Sequence, residues 1–226
     1  MTDDGSIAGQ ERGVTDDGSI AGQTVDAFLK ELASDSATPG GGPVAALEGA
    51  MGSALISMVC NLTIDKDGYE EAQERVRGIL VEAEQARATF LELADRDAHA
   101  FDGVMEAFAM PKATDAEKAA RSQAIQRGYE EAARPPLAIA KLAATQMEFA
   151  HEVTEIGNAK AASDGACAAQ ALAASVWSAT FNVEINAAAL KDKAKAQSFR
   201  DEVSMLRANA AALLDAANAT FATRLG

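Results

Sequence analysis

At 226 residues with a formal charge of −14, from 34 acidic against 20 basic side chains, the chain is long enough for one domain around a single core and too short for two ordinary domains and a linker. Such a charge repels nucleic acid and anionic membrane surfaces unless the cations cluster, and no basic stripe runs along the sequence. Alanine dominates, aromatics are 5%, and no proline follows Pro136, so the expected fold class is all-α, an elongated bundle of about seven helices.

The histidines His99 and His151 have no ligand spacing such as HExxH, so no metal site is expected. Cys60 and Cys167 lie in apolar helical segments without a CxxC partner, as reduced core thiols of a cytoplasmic protein do. The acidic excess is also what a protein kept soluble at high salt tends to carry. The N-terminus is acidic and lacks an apolar segment, so it does not read as a secretion signal.

In chain order, residues 1–23 hold the nonapeptide TDDGSIAGQ twice, at Thr2–Gln10 and Thr15–Gln23. Polar and too short to bury a face, they read as a disordered leader ahead of a helical domain over 24–226. Thr24 is a plausible N-cap for a short helix with Val25, Phe28, Leu29 and Leu32 on one face. The stretch SDSATPGGGPVAALEGA then sets Gly40, Gly41 and Gly42 between two prolines, with Pro43 suited to the first helical position. The apolar run that follows is long enough for a membrane span, but Glu48 and its many small residues favour a buried core helix. A loop at IDKDG precedes a long helical pattern from Tyr69 to about Phe108. Pro111 stops it, and Thr114 with Glu117 forms a capping box for the next helix. That helix ends at Arg134-Pro135-Pro136. The one after it runs to EIGN with Gly157 as C-cap, and helix continues from Lys160.

Three constellations could carry chemistry. Leu93, Asp97, Phe101, Val104 and Phe108 share one helical stripe, so Asp97 faces the core side; it reads either as a carboxylate at the stripe's margin or bonded to a neighbouring helix, or as a catalytic group. Asp164, Ala168, Ala171, Ser175, Ser178, Asn182 and Asn186 form a stripe of small or hydrogen-bonding side chains, which suits a closely packed helix and a polar heterocycle equally. The three glycines allow a hinge or an anion cradle of backbone N–H groups. They do not match GxxxxGK[ST], which sets a nucleotide P-loop aside.

In order along the chain, ATPGGGPVAALEGAMGSALISMVCNLT, DRDAHAFDGVMEAFAMPK, ARPPLAIA, GNAKAASDGACAA and NVEIN together resemble the cyclodeaminase/cyclohydrolase family of tetrahydrofolate enzymes. That family comprises the cyclodeaminase half of formiminotransferase-cyclodeaminase and stand-alone methenyltetrahydrofolate cyclohydrolases. The likeness runs from about Thr24 to the C-terminus. It implies an all-helical homodimer that binds a reduced folate in a cleft near the subunit interface, with no metal and no cofactor beyond the tetrahydrofolate substrate; the charge already argues for no nucleic acid and no membrane as partners. By motif match, Pro39, Gly40, Gly41 and Gly42 line that cleft, while Asp97, Asn158, Ser163, Asp164, Asn182 and Asn186 supply its polar groups.

The chain departs from the family pattern in three places. Lys160 stands where an Asn is common, Pro43 replaces a frequent Ser, and DKDGY keeps Lys66 but loses neighbouring cations suited to the folate's glutamate tail. The resemblance implies hydrolysis of 5,10-methenyltetrahydrofolate to 10-formyltetrahydrofolate, with Asp97 or Asp164 moving the proton. The alternative is cyclodeamination of 5-formiminotetrahydrofolate with loss of ammonia. With only a short leader ahead of the domain and no transferase, the hydrolase is the favoured expectation. The rival of another class is a folate-binding or scaffold protein that keeps the fold without the activity.

Overall fold

A computed structural model describes residues 18–36 and 38–225. Among them are eight α-helices and no strand: α1 (Val25–Leu32), α2 (Gly41–Asn61), α3 (Gln73–Ala100), α4 (Asp102–Ala109), α5 (Asp115–Ala132), α6 (Arg134–Ile156), α7 (Ala162–Ala188) and α8 (Lys193–Arg224). Helices α2, α6 and α7 form the centre; α3 packs on α2 and α6, and α8 on α6 and α7. The α4–α5 hairpin sits at one end.

Local chemistry sets most of the boundaries. The Thr24 hydroxyl accepts from the Ala27 N–H at 3.1 Å to open α1. Thr114 and Glu117 close a reciprocal capping box at 3.2 and 2.8 Å, and Pro135 and Pro136 occupy the first turn of α6, where a missing N–H costs nothing. Asp192 accepts from Ala194 and Lys195 to start α8 after a short link.

Other boundaries depart from the sequence reading. Gly41 and Gly42 belong to α2 itself, so Pro43 is its third residue rather than its first; all three sit in the turn whose N–H groups have no helical acceptor. The long pattern from Tyr69 is interrupted at Phe101, and α4 turns away to pack on α5, where both Phe101 and Phe108 meet the Tyr129 ring edge-on at 6.3 and 6.4 Å. Gly157 caps α6 in extended rather than left-handed backbone. Glycine is required there by crowding, since a Cβ would lie 2.4 Å from the Val153 carbonyl oxygen. Of the expected face of α1 only Phe28 is buried, with Val25 and Leu29 exposed.

The core runs through Ile56, Val59, Ile79, Phe90, Ile139, Met147, Leu172 and Val176, all fully buried. Helix α2 is long and apolar enough by composition to cross a membrane, yet it lies at the centre of the bundle between α3 and α7. Small residues permit that closeness: a Cβ on Gly52 would meet Leu172 Cγ at 2.6 Å, and the Ser175 hydroxyl donates to the Ala45 carbonyl at 2.7 Å. The middle of the small-residue stripe is therefore a helix–helix contact. Cys60 is buried in that core, and its thiol is pushed up to about 12 by burial, whereas Cys167 is exposed rather than in the core.

Of the polar leader, residues 18–23 fall among those described. Ile20 is buried against α3, and its N–H donates to the Asp95 carboxylate at 2.8 Å. The first nonapeptide copy lies outside the described residues.

Candidate active site

Four helices, α2, α3, α5 and α7, line one cleft of about 490 Å³ at the N-terminal end of α2. Gly40, Gly41 and Gly42 form its backbone wall, α3 contributes Asp97 and Phe101 follows it, α5 contributes Tyr129, and α7 contributes Asn182, Ile185 and Asn186. The lining thus combines polar groups with aromatic and apolar ones, as a site for a flat heterocycle with a polar edge requires.

Asp97 touches α2 where a side chain would otherwise stand. A Cβ on Gly42 would come within 1.7 Å of Asp97 Oδ2, so the carboxyl group is seated against bare backbone. It makes no hydrogen bond within the described chain. Burial, with nothing to offset it, pushes the carboxyl up to about 6. A carboxyl poised between its two protonation states near neutral pH can both take and return a proton.

The two asparagines are oriented by their amide nitrogens. Asn182 Nδ2 donates to the Ser178 carbonyl at 2.9 Å; Asn186 Nδ2 donates to the Ala132 and Asn182 carbonyls, both at 3.0 Å. Both Oδ1 atoms accept nothing within the described chain and remain available as acceptors in the cleft. Asn182 also lies against the glycines, 3.2 Å from where a Gly41 Cβ would be. On the far side of Gly40 and Gly41 a second opening of about 480 Å³ includes Pro39, Ser178, Phe181 and Asn182. Glu48, further along α2, is partly buried with its Oε2 unpartnered among the described residues; burial raises its carboxyl, and the nearby Ser178 hydroxyl acts in the opposite direction.

The remaining motif-matched residues lie elsewhere in the chain. Asp164 is in the first turn of α7 and Asn182 is eighteen residues further on, about 27 Å along the axis at 1.5 Å per residue. Ser163 and Lys66 are exposed near that far end. Asn158 is buried and fully employed: its N–H bonds Thr63 Oγ1 at 2.8 Å, its Nδ2 the Leu62 carbonyl at 2.9 Å, and its Oδ1 accepts from Lys160 N–H at 3.1 Å. It ties the α6–α7 link to the end of α2. Within one chain the cleft therefore gathers Gly40, Gly41, Gly42, Asp97, Asn182 and Asn186, with Pro39 behind them, and not Lys66, Asn158, Ser163 or Asp164.

The sequence reading did not single out Tyr129. Its signal was faint: it is the lone aromatic of α5, a helix otherwise rich in charged and small residues. Among the described residues no group of three or more His, Cys, Asp or Glu side chains is placed to hold a metal.

The sequence model of formiminotransferase-cyclodeaminase matches residues 24–205. The chain belongs to that family. Within it, the protein is 42% identical over 191 residues to a methenyltetrahydrofolate cyclohydrolase from Methylorubrum extorquens, a match that covers 84% of this chain and 92% of that one. It is 36% identical to a formimidoyltransferase-cyclodeaminase from Sus scrofa over 83% of its own length but 36% of the relative's, so this family member spans about a third of the fused enzyme. The crystal structure of a formiminotetrahydrofolate cyclodeaminase from Thermotoga maritima superposes with a TM-score of 0.80 at 27% identity, covering 90% of this chain and 98% of that one.

Proposed function

We propose that this chain hydrolyses 5,10-methenyltetrahydrofolate to 10-formyltetrahydrofolate. The observation that carries the reading is the Asp97 carboxyl, unbonded and raised to about 6 in a cleft walled by glycine backbone. The 42% identity to a cyclohydrolase of nearly the same extent supports it.

Water adds to the amidinium carbon between N5 and N10, and Asp97 as carboxylate takes a proton from it. The C–N5 bond of the tetrahedral adduct then breaks while Asp97 returns that proton to N5. The adduct's hydroxyl proton passes to solvent, and the formyl group remains on N10. Asn182 and Asn186 offer two fixed acceptors, which match the N–H and amino donors on the edge of a reduced pterin. Phe101 and Tyr129 supply an apolar side for the ring. The mechanism calls on no metal or redox cofactor.

Cyclodeamination is the second reading. It is favoured by the fold neighbour of equal extent, a formiminotetrahydrofolate cyclodeaminase; chain size therefore does not separate the two reactions. The same base would assist attack of N10 on the formimino carbon. Purified protein offered each substrate in turn decides: loss of the methenyl chromophore identifies the hydrolase, and ammonia release from 5-formiminotetrahydrofolate the deaminase. Turnover of neither would leave a helical protein without either activity.

A homodimer forms part of this proposal. Met51, Met58 and Leu62 leave an exposed apolar row along α2 at helical spacing, and Trp177, Phe181 and Ile185 another on α7, surface that a second copy would cover. Sedimentation at micromolar concentration measures it.

A further inference from the structure

Beside the cleft lies a second groove, of about 430 Å³, built from the start of α5, the segment before it and the α7–α8 link. Four cations line it, Lys112, Lys118, Arg121 and Lys191, with Ser122 and Gln126, and no carboxylate does. In a chain of charge −14 this is a local reversal of sign. Lys118 has an exposed partner in Asp115. Lys191 Nζ donates only to the Ser122 hydroxyl at 2.7 Å, and the Arg121 guanidinium is held by the Phe108 carbonyl and ring rather than by an acid. Lys112 is exposed with no acidic partner among the described residues.

The groove and the cleft share a wall. Gln126 accepts from the Lys191 N–H at 2.6 Å and donates to the Ala189 carbonyl at 3.2 Å, and Ala189 lines the cleft while Lys191 lines the groove. Tyr129, in the cleft, is one turn of α5 from Gln126, about 4.5 Å of rise. Phe108 connects the two again, with its ring under Arg121 and against Tyr129. A ligand anchored by its ring in the cleft therefore meets fixed cations as it leaves over this wall.

Resting on the folate reading above, we infer that this groove binds the carboxylates of the substrate's glutamyl tail, through Lys112, Arg121 and Lys191. Lys66, the cation that motif matching pointed to, is exposed and lines neither cavity. Carboxylates on three unneutralised cations form charge-assisted bonds, and being exposed they are screened by salt.

The test measures KM for the methenyl substrate carrying one and five γ-linked glutamates, at low and high ionic strength, on wild type and on Lys112→Ala/Lys191→Ala. The expected result is a KM about tenfold lower for the longer tail at low salt, roughly one good charge-assisted hydrogen bond. That ratio shrinks toward one at about 0.5 M salt and in the double variant. If wild type turns over both substrates with equal KM, or the double variant keeps the ratio with its helical circular dichroism intact, the groove is not a tail site while the cyclohydrolase reading stands. If wild type turns over neither substrate, both inferences fall.

Discussion

Gly42 and Asp97 occupy one another's space: the position a Gly42 Cβ would take is 1.7 Å from Asp97 Oδ2 and 2.3 Å from its carboxyl carbon. The third glycine of the opening turn of α2 is what lets a carboxyl group from α3 lie against that helix. Gly42→Ala is expected to push Asp97 out of place and lower kcat by about a hundredfold, the cost of losing a positioned acid–base group. Gly41→Ala, which would meet only the Asn182 amide at 3.2 Å, is expected to cost less than Gly42→Ala. Steady-state kinetics on the two variants side by side checks the order, and equal effects would dissolve the assignment.

On the proposed mechanism, Asp97 is expected to set the pH dependence. Its carboxyl stands at about 6 against an ordinary 3.8, and the ionised form is the base, so kcat/KM should fall as pH drops through about 6. Asp97→Asn is expected to lose about 10² to 10⁴ in rate and to abolish that limb of the profile. The stability sign is opposite. The folded state binds this proton more tightly than the unfolded one, so the group opposes folding progressively as pH rises from about 4 to 6 and fully above that. Asp97→Asn should therefore melt higher than wild type at pH 7.5, by differential scanning fluorimetry, with the gap closing toward pH 4.

On the proposed function, Asn186 joins two roles in one side chain. Its Nδ2 holds the Ala132 carbonyl at 3.0 Å where α5 passes into α6, and its Oδ1 is free for the ligand. Asn186→Ala should cost about 1 kcal/mol of stability from the lost hydrogen bond. It should also raise KM more than it lowers kcat, because an oriented acceptor on the pterin edge serves bound substrate and transition state alike. Urea unfolding paired with kinetics separates the two effects.

Asp97, Asn182 and Asn186 were legible in the sequence because helical period fixes direction around an axis: each lies on a stripe that the 3.6-residue repeat places on one side. The capping box at Thr114 was legible because both partners lie within four residues. Position along the axis was not. Asp164 shares a stripe with Asn182, yet that stripe passes from the Ser175–Ala45 helix contact into the cleft, and no local pattern marks where one becomes the other. The break at Phe101 was hidden for a similar reason, since the ring Phe101 packs on there, Tyr129, is twenty-eight residues away. The glycines read as a loop because propensity disfavours three in a helix; the Asp97 carboxyl that requires one of them is fifty-five residues further on.

Asp164 makes that axial argument testable. A side chain about 27 Å along α7 from Asn182 cannot reach a reacting carbon held between Gly42 and Asn182 in the same chain. Asp164→Asn should therefore leave kcat within a few-fold of wild type while Asp97→Asn does not. A hundredfold loss in Asp164→Asn would mean that a second copy brings the start of its α7 to the cleft. Mixing inactive Asp97→Asn with inactive Asp164→Asn protein would then restore up to about a quarter of wild-type activity, because a random two-chain mixture is half mixed dimers and each mixed dimer holds one cleft with neither substitution. No recovery on mixing, with both variants folded, would instead mean that Asp164 acts on the cleft through its own chain, along the length of α7 that separates it from Asn182.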